Sequence, residues 1–278
     1  MKKFLILGGA GFIGYNLASK LSKNKKNEVH IVDNFSRGKF DKDFKVLSKL
    51  QNVKLKNIDL LKNSKNKFNK NYDYIFNLAA IIGVSNVMKF PYKVLINNVL
   101  IQSKALSIAK IQKNLKKFIF FSTSEVYAGS NNYFNTKVPS PENTPLTISS
   151  LKNNRSTYMI SKIYGEAMCY HSNIPFLILR PHNIYGERMG LNHVIPEILK
   201  KIKNLKDKEL LKVFTPKHTR SFCYIDDAIN QIIKLTNSSF KNEDFNIGND
   251  KDEISIYQLV RKCLKILNKK NKILPLKN

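Results

Sequence analysis

Tyr158 and Lys162 form the pair of residues whose types and spacing most clearly suggest acid–base chemistry. They lie four positions apart at the start of a helical pattern, which places both side chains on one helix face. A tyrosine has an ordinary pKa of about 10, and a nearby ammonium group stabilises its phenolate form. Tyr158 would then accept a proton from a substrate hydroxyl near neutral pH.

The same spacing joins Tyr133 to Lys137, because lysine is frequent enough in this chain for such pairs to arise by chance. That second pair lies beside Pro139, in a segment without helical periodicity, so no regular element is expected to hold it together. The Tyr158 pair opens a helical stretch without proline. We therefore assign the chemistry to Tyr158 and Lys162.

A second set of polar residues, which includes Thr123 and Glu125, follows the apolar run that ends near Ser122. In an open α/β sheet, residues just beyond the carboxyl end of a strand lie at the ligand crevice, so Thr123 is expected to share a substrate hydroxyl with Tyr158. Glu125 would supply a second acid or base there. The alternative is an ordinary strand-terminal turn capped by serine and threonine.

Gly8, Gly11 and Gly14 belong to the segment GGAGFIG, between a short apolar run and a helical pattern. This order predicts a strand, a glycine-rich turn and a helix N-terminus, whose backbone amides and dipole bind phosphate. Asp33 ends the next predicted strand, where a carboxylate accepts both hydroxyls of an adenosine ribose. Asp33 would repel a 2′-phosphate despite nearby Arg37, which favours NAD over NADP. An exposed turn residue is the alternative interpretation of Asp33.

The formal net charge of +28 comes almost entirely from lysine, with 42 lysines against 6 arginines. Clustered cations would predict nucleic-acid binding, but these are scattered, so we favour a solvated lysine surface without a specific nucleic-acid partner. Such a field attracts an anionic nucleotide substrate. Cys169, Cys223 and Cys263 form no CxxC pair and have no histidines at ligand spacing, which predicts buried thiols and neither a metal site nor disulfides.

Short apolar runs alternate with helical patterns, which predicts an α/β fold with a doubly wound parallel sheet of the Rossmann type. We expect an NAD-binding domain over 1–180 and a smaller, interleaved substrate lobe over 181–278, with a long irregular loop at 129–154. The predicted strands are Phe4–Leu7, Glu28–Val32, Val53–Ile58, Tyr74–Leu78, Lys117–Ser122, Phe176–Arg180, Leu211–Phe214 and Phe245–Ile247. The predicted helices are Val94–Lys113, Tyr158–His171, Val194–Asn204, Ile225–Leu235 and Ile256–Leu267, with a further helical stretch after the glycines that runs to Leu21.

Met1, Lys2 and Lys3 before an apolar stretch imitate a secretory signal. The glycines at phosphate-loop spacing and the carboxylate of Asp33 argue against that interpretation. No other stretch approaches the roughly eighteen unbroken apolar residues of a membrane span. We therefore expect a cytoplasmic protein.

From Lys3 to about Leu267 the chain resembles the extended short-chain dehydrogenase/reductases, specifically the NAD-dependent nucleotide-sugar epimerases, dehydratases and decarboxylases. The resemblance implies catalysis by Thr123, Tyr158 and Lys162, with Glu125 beside them. The cofactor contacts that it implies are Gly8, Gly11, Phe12, Ile13, Asp33, Asn34, Ser36, Gly38, Asp59, Leu60, Leu78, Ala79, Ala80, Asn98, Tyr158 and Lys162. The substrate contacts that it implies are Ser124, Asn183, His193 and Arg220.

The resemblance also implies a shared first step, in which Tyr158 removes a hydroxyl proton at C4 of the sugar while the C4 hydride moves to NAD. We rank 4-epimerisation first among the outcomes. Decarboxylation stays open because Thr-Ser-Glu-Val-Tyr is also a decarboxylase pattern, whereas 4,6-dehydration is disfavoured because Ser124 stands where dehydratases have an acid. A non-catalytic NAD- or RNA-binding scaffold is the rival class.

Members of this family commonly dimerise through the helices that correspond to 94–113 and 158–171, so a homodimer is expected. Typical members also continue for some tens of residues past the helix at 256–267. The resemblance therefore leaves two alternatives, a truncated chain or a reduced substrate lobe.

Overall fold

Thirteen strands alternate with nine α-helices in the computed structural model, which describes residues 1–62, 68, 71–134 and 136–276. The strands are β1 (Lys2–Leu7), β2 (Asn27–Asp33), β3 (Val53–Asn57), β4 (Tyr74–Asn77), β5 (Lys117–Phe121), β6 (Phe176–Pro181), β7 (Ile184–Tyr185), β8 (Leu211–Phe214), β9 (Thr219–Ser221), β10 (Cys223–Tyr224), β11 (Glu243–Ile247), β12 (Glu253–Ser255) and β13 (Ile273–Leu276). The helices are α1 (Phe12–Ser22), α2 (Lys42–Ser48), α3 (Val84–Lys89), α4 (Pro91–Lys110), α5 (Ala128–Tyr133), α6 (Ser156–Tyr170), α7 (Val194–Lys203), α8 (Ile225–Asn237) and α9 (Ile256–Ile266).

The central sheet has seven strands in the order β11, β6, β5, β4, β1, β2 and β3, all parallel. Its inner strands are buried apolar runs, as expected for a sheet covered on both faces. One face packs against α4 and α6 through a core that includes Ala105, Ala109, Phe118 and Cys169. The predicted α/β fold with a parallel sheet is confirmed.

The chain forms two compact units. The first comprises Met1–Pro181 and Asp226–Ile247, and the second comprises His182–Ile225 and Gly248–Asn278. The second unit has its own core, in which α7 and α9 pack with the paired strands β8 and β13. Each unit is therefore built from two separate stretches of the chain, because the segment 226–247 returns to the first unit.

Lys117, the first residue of β5, anchors this returning segment. Its buried ammonium donates hydrogen bonds to the carbonyl oxygens of Leu235, Thr236 and Ser238, at 3.0, 3.1 and 2.7 Å. These carbonyls lie at the end of α8, where backbone acceptors lack helical partners and the helix dipole favours a cation. Lys117 thus caps α8 on the central sheet.

The sequence did not predict the short helices α2 and α3 or the short strands β7, β9, β10, β12 and β13. Two predicted segments also differ in the structure. The segment predicted as an irregular loop from Gly129 begins with α5, because the polypeptide continues helically out of a 3₁₀ turn at Ser124–Tyr127. The helix predicted from Val94 begins at Pro91, a residue favoured in the first helical turn. Among the described residues, no helix combines the length and the apolar character that crossing a membrane requires.

Candidate functional site

The glycine-rich turn connects β1 to α1 and needs its glycines for steric reasons. Gly8 has a φ of +80°, and a side chain there would meet the backbone of Leu78 and Ala79. A side chain at Gly14 would meet the Gly8 carbonyl oxygen, so Gly14 lets the first turn of α1 lie close to the glycine-rich turn. A side chain at Gly11 would meet only the Gly8 carbonyl oxygen within the described part of the chain, so packing alone does not require glycine there.

Asp33 joins this turn to the segment that follows β2. One carboxylate oxygen accepts a hydrogen bond from the Ala10 backbone amide at 2.9 Å, and the other accepts one from the Phe35 amide at 2.8 Å. Phe35 has a φ of +56° and packs edge-on against Phe44, which is fully buried. The carboxylate is therefore held at the end of β2, beside the amides of the glycine-rich turn.

Asn34, Ser36 and Gly38 lie in the turn after Asp33. The Asn34 side chain accepts a hydrogen bond from the Ser36 amide at 3.0 Å, and Gly38 lies directly against Ala10. Asp59 and Leu60 follow β3, whose end is joined to β2 by a hydrogen bond from the Ile58 amide to the Asp33 carbonyl oxygen. The structure thus brings both segments of predicted cofactor contacts, the turn after Asp33 and the residues after β3, to the carboxyl end of the sheet.

Asn98 supports the loop that follows β4. Its side-chain oxygen accepts a hydrogen bond from the Ile81 amide at 2.7 Å, and its side-chain nitrogen donates to the Ile81 carbonyl oxygen and to Ser161. Because Leu78, Ala79 and Ala80 belong to this loop, Asn98 positions three of the predicted cofactor contacts. A direct contact between Asn98 and cofactor stays a prediction.

Thr123 and Tyr158 are brought together by β5 and α6. The Thr123 hydroxyl accepts a hydrogen bond from the Glu125 amide at the start of the 3₁₀ turn, and its side chain lies close enough to Tyr158 to lower the pKa of that phenol. Gly165 lets α6 approach β5 closely, because a side chain there would meet the Phe120 ring. Two residues that are 35 positions apart in sequence therefore lie near each other at the site.

Lys162 lies beneath this pair and is almost fully buried. Its ammonium donates a hydrogen bond to the Phe121 carbonyl oxygen at 2.7 Å and lies 5.8 Å from the centre of the Tyr158 ring. Burial lowers the pKa of Lys162 to about 8, while the charge of Glu166 opposes that shift. Lys162 therefore titrates far closer to neutrality than an ordinary lysine.

The pKa of Tyr158 lies above its ordinary value, opposite to the lowering expected from the sequence. Burial is the main cause and the charge of Glu125 adds to it, while the hydrogen bond with Thr123 and the charge of Arg37 act in the other direction. Lys162 points towards the Phe121 carbonyl oxygen, so the expected stabilisation of a phenolate by this lysine is not dominant. A positively charged nicotinamide would add the stabilisation that the chain alone lacks.

Glu125 lies within electrostatic reach of Tyr158, as expected of a second acid or base. The residue is exposed, yet desolvation by the surrounding protein raises the pKa of its carboxyl group, with Arg155 acting in the opposite direction. Ser124 lies beside it in the same 3₁₀ turn. The site thus contains a carboxyl group whose proton is held more tightly than usual.

A buried charged network that sequence reasoning missed lies behind Lys162. Glu166 and Arg180 bind through two hydrogen bonds of 3.0 and 2.7 Å, and Ser122 donates a third to Glu166 at 2.5 Å. Arg180 also contacts the Tyr127 hydroxyl and the Asp244 carboxylate, each at 2.7 Å. The spacing of Glu166, one helical turn after Lys162, was the signal that could have revealed it.

The remaining predicted substrate contacts lie in the second unit. Asn183 has a φ of +38°, and its side chain donates a hydrogen bond to the Ser221 carbonyl oxygen. Arg220 is exposed and donates to the carbonyl oxygen of Thr219, while His193 precedes α7. Their binding roles stay predictions.

The residues around the glycine-rich turn fit a dinucleotide. Three features together match phosphate and ribose groups: a glycine at position 11 that packing does not demand, a start of α1 that no side chain among the described residues caps, and the Asp33 carboxylate. Lys162 and Tyr158 lie where the carboxyl end of β5 meets α6. This arrangement suits transfer of a proton and a hydride at one carbon atom.

Comparison with known proteins agrees with this chemistry. The family model "NAD dependent epimerase/dehydratase family" matches residues 4–248. A UDP-N-acetyl-alpha-D-glucosaminuronate decarboxylase of Bacillus cytotoxicus is 32% identical over 278 residues, which cover 98% of this chain and 82% of that protein. A dTDP-D-glucose 4,6-dehydratase of Dictyostelium discoideum is 31% identical over 96% of this chain, which spans 62% of that protein's length.

A solved relative is the UDP-glucuronic acid 4-epimerase from Bacillus cereus in complex with NAD, with a TM-score of 0.83 and 27% identity over 99% of this chain and 87% of that structure. The chain therefore belongs to the NAD-dependent epimerase/dehydratase family, an enzyme family that acts on nucleotide sugars. Membership confirms the predicted NAD cofactor and enzymatic class. It weighs against a non-catalytic scaffold.

Proposed function

We propose that this enzyme oxidises and re-reduces C4 of a nucleotide sugar through Thr123, Tyr158 and Lys162, with 4-epimerisation as the net reaction. The observation that carries the proposal is the convergence of Thr123, Tyr158 and the buried ammonium of Lys162, which lies 5.8 Å from the centre of the Tyr158 ring. Nothing in that arrangement requires a metal ion. Oxidation of an alcohol needs a base for its proton and an acceptor for its hydride.

Tyr158 supplies the base in its phenolate form, and Thr123 orients the same hydroxyl by sharing its hydrogen bond. Lys162 provides the nearby positive charge and stays buried while the proton moves. Bound NAD would supply the hydride acceptor and would later return the hydride to C4. When the hydride returns to the opposite face of the ketone, Tyr158 gives its proton back and the product is the 4-epimer.

We propose a UDP-linked uronic acid as substrate. The Bacillus cytotoxicus relative is named for UDP-N-acetyl-alpha-D-glucosaminuronate and the Bacillus cereus structure for UDP-glucuronic acid. These two relatives differ in reaction outcome but share the uronic acid and the nucleotide. The binding roles of Asn183, His193 and Arg220 in the second unit belong to the same proposal, with the first unit holding NAD.

Decarboxylation is the second candidate, and the position of Glu125 favours it. A C4 ketone lies β to the C6 carboxylate, so the C5–C6 bond can break with its electron pair moving into the ketone and CO2 leaving. Carbon C5 then needs a proton, and the raised pKa of Glu125 keeps that carboxyl group available as a donor. Epimerisation needs no such acid.

One substrate distinguishes the two outcomes. Purified enzyme with UDP-glucuronic acid is followed by product NMR and by the absorbance of reduced nicotinamide. Epimerisation gives UDP-galacturonic acid, whereas decarboxylation gives a UDP-linked pentose or its 4-keto form and CO2. Glu125→Gln should slow decarboxylation by about 10²-fold or more but leave epimerisation nearly unchanged.

A panel of UDP-, GDP- and dTDP-sugars extends the test to other substrates. A chain that carries no nicotinamide, turns over none of these sugars and binds RNA in a salt-sensitive manner would contradict the proposed function. Release of water from C5 and C6 of dTDP-glucose would instead support the 4,6-dehydratase outcome.

We propose further that the enzyme is a homodimer that pairs the α4–α6 face. This face comprises Tyr92, Ile96 and Leu100 on α4 with Tyr164 on α6. Tyr92, Leu100 and Tyr164 are 75%, 49% and 53% exposed, and they recur at helical spacing along two helices that pack side by side. Exposed apolar stripes of this kind mark surfaces for association, and a second copy offers the same stripe.

Light scattering of the purified protein tests the dimer. Leu100→Glu should halve the molar mass, while Ile266→Glu, on an exposed apolar residue of α9, should leave it unchanged. A monomeric parent protein would refute this pairing without affecting the proposed reaction.

A further inference from the structure

The buried carboxylate of Glu166 connects the two elements that carry the candidate site, α6 and the end of β5. It lies one helical turn beyond Lys162 on α6, and it accepts hydrogen bonds from Ser122, the residue directly before Thr123. The Lys162 ammonium binds the carbonyl oxygen of Phe121, the residue before Ser122. Glu166 therefore holds the same end of β5 that Lys162 contacts and that presents Thr123.

We propose that Glu166 is a positioning residue that keeps Lys162 charged and fixes the end of β5 for catalysis. This inference rests on the proposed role of Lys162. Glu166 and Lys162 are both almost fully buried, and a buried ammonium without a nearby negative charge loses its proton readily. Phe121 offers Lys162 a neutral carbonyl oxygen, so the compensating charge comes from elsewhere.

The charges that face the pair come from four elements. Arg180 on β6 binds Glu166, and Asp244 on β11 binds Arg180. The hydroxyl of Tyr127, the last residue of the 3₁₀ turn, accepts a hydrogen bond from Arg180 and donates one to Asn246. Tyr158 and Cys169 lie on α6 itself, where burial raises the pKa of each. Glu166 is the nearby group whose charge raises the pKa of Lys162 most, ahead of Cys169.

Glu166→Gln tests this role with little risk to the fold. The amide has nearly the same shape, and Arg180 keeps the Asp244 carboxylate as its partner, so no buried guanidinium is left alone. With Glu166 neutral, Asp244 alone balances the positive charge of Arg180, which then acts more strongly on Lys162. Both effects lower the pKa of Lys162.

Lysine titration by NMR measures the effect without any sugar. NAD-loaded enzyme is prepared with ¹³C-lysine, and the Lys162 resonance is identified by its absence in Lys162→Met. The parent midpoint is expected at about 8, and Glu166→Gln should lower it by about one unit or more. Glu166→Asp, which keeps the charge, should stay near the parent value.

Asp244→Asn is the matched control, since it removes a carboxylate from the same network on the far side of Arg180. Asp244→Asn should lower the thermal midpoint of unfolding but leave the titration midpoint of Lys162 unchanged. Turnover gives a second measurement. The kcat/KM of Glu166→Gln should fall at lower pH than that of the parent, because the pKa of Lys162 is lower in the variant. By pH 8 the variant's kcat/KM should be about tenfold below its own maximum.

An unchanged Lys162 midpoint in folded Glu166→Gln would overturn the inference, and so would an equal shift in Asp244→Asn. An enzyme in which the midpoint shifts as expected but no nucleotide sugar is converted would refute the proposed function alone.

Discussion

Replacing Lys117 with methionine should release the returning segment 226–247 from the sheet of the first unit. The variant removes a buried cation that donates to three carbonyl oxygens at the end of α8, at 3.0, 3.1 and 2.7 Å. Methionine keeps most of the apolar stem, so the change reports on the ammonium group. Of the three bonds, the one to Thr236 is fully buried and the other two are partly buried.

The size of the loss follows from these contacts. A buried carbonyl without a partner costs ~1–3 kcal/mol, and water can replace part of the two outer bonds. A cation at a helix C-terminus contributes ~0.3–2 kcal/mol. Burial lowers the pKa of Lys117, so relief from desolvation offsets part of the loss. Together these effects predict a decrease of about 3 kcal/mol in the free energy of unfolding of the first unit.

Urea unfolding followed by circular dichroism, with amide hydrogen exchange to locate the change, measures this effect. The matched control is Lys116→Met, because the Lys116 side chain is 54% exposed and its ammonium lies 3.3 Å from the Asp73 carboxylate. An exposed ion pair of this kind contributes at most ~1 kcal/mol. Faster exchange confined to α8 and β11 is expected for Lys117→Met. Equal stability of the two variants, with unchanged exchange in α8, would refute the capping role.

Three further predictions concern the site, its support and acid stability. Tyr158→Phe should lower kcat by about 10³-fold while NAD affinity, measured by calorimetry, changes little, and retained turnover would remove Tyr158 from its proposed role. Asn98→Leu should weaken NAD binding several-fold, because the Ile81 loop loses both of its side-chain bonds; an unchanged dissociation constant in the same calorimetry would contradict this. Glu28 has its pKa lowered to about 2, chiefly by Lys54, so its stabilising contribution is present above pH 4.5 and is lost as pH falls towards 2. Urea unfolding should accordingly separate Glu28→Gln from the parent by up to about 3 kcal/mol at pH 7 and by almost nothing near pH 2.

The parts of the site that sequence predicted are those that depend on neighbouring residues along the chain. The turn around Gly8 and the pair Tyr158–Lys162 are local, so spacing alone is informative. The contact between Arg180 and Asp244 depends on pairing of β6 with β11, after the chain has passed through the second unit. Helix α5 was missed because its Ser- and Asn-rich residues have weak helix propensity, and contacts such as that of Ser130 with Pro145 hold it instead.

The arginines of the first unit are few, and all of them act on residues of the candidate site. The chain uses lysine for 42 of its 48 basic residues, yet Arg37, Arg155 and Arg180, the arginines of the first unit, all act on the site. Arg37 acts on Tyr158, Arg155 acts on Glu125, and Arg180 binds Glu166. Arg180 shows why lysine does not suffice, because a planar guanidinium serves two carboxylates and a phenol at once and an ammonium presents only a point charge. In a sequence where most positive charge comes from lysine, Arg180 is a position whose hydrogen bonds demand a fork-shaped donor, and it binds the carboxylate one helical turn from Lys162.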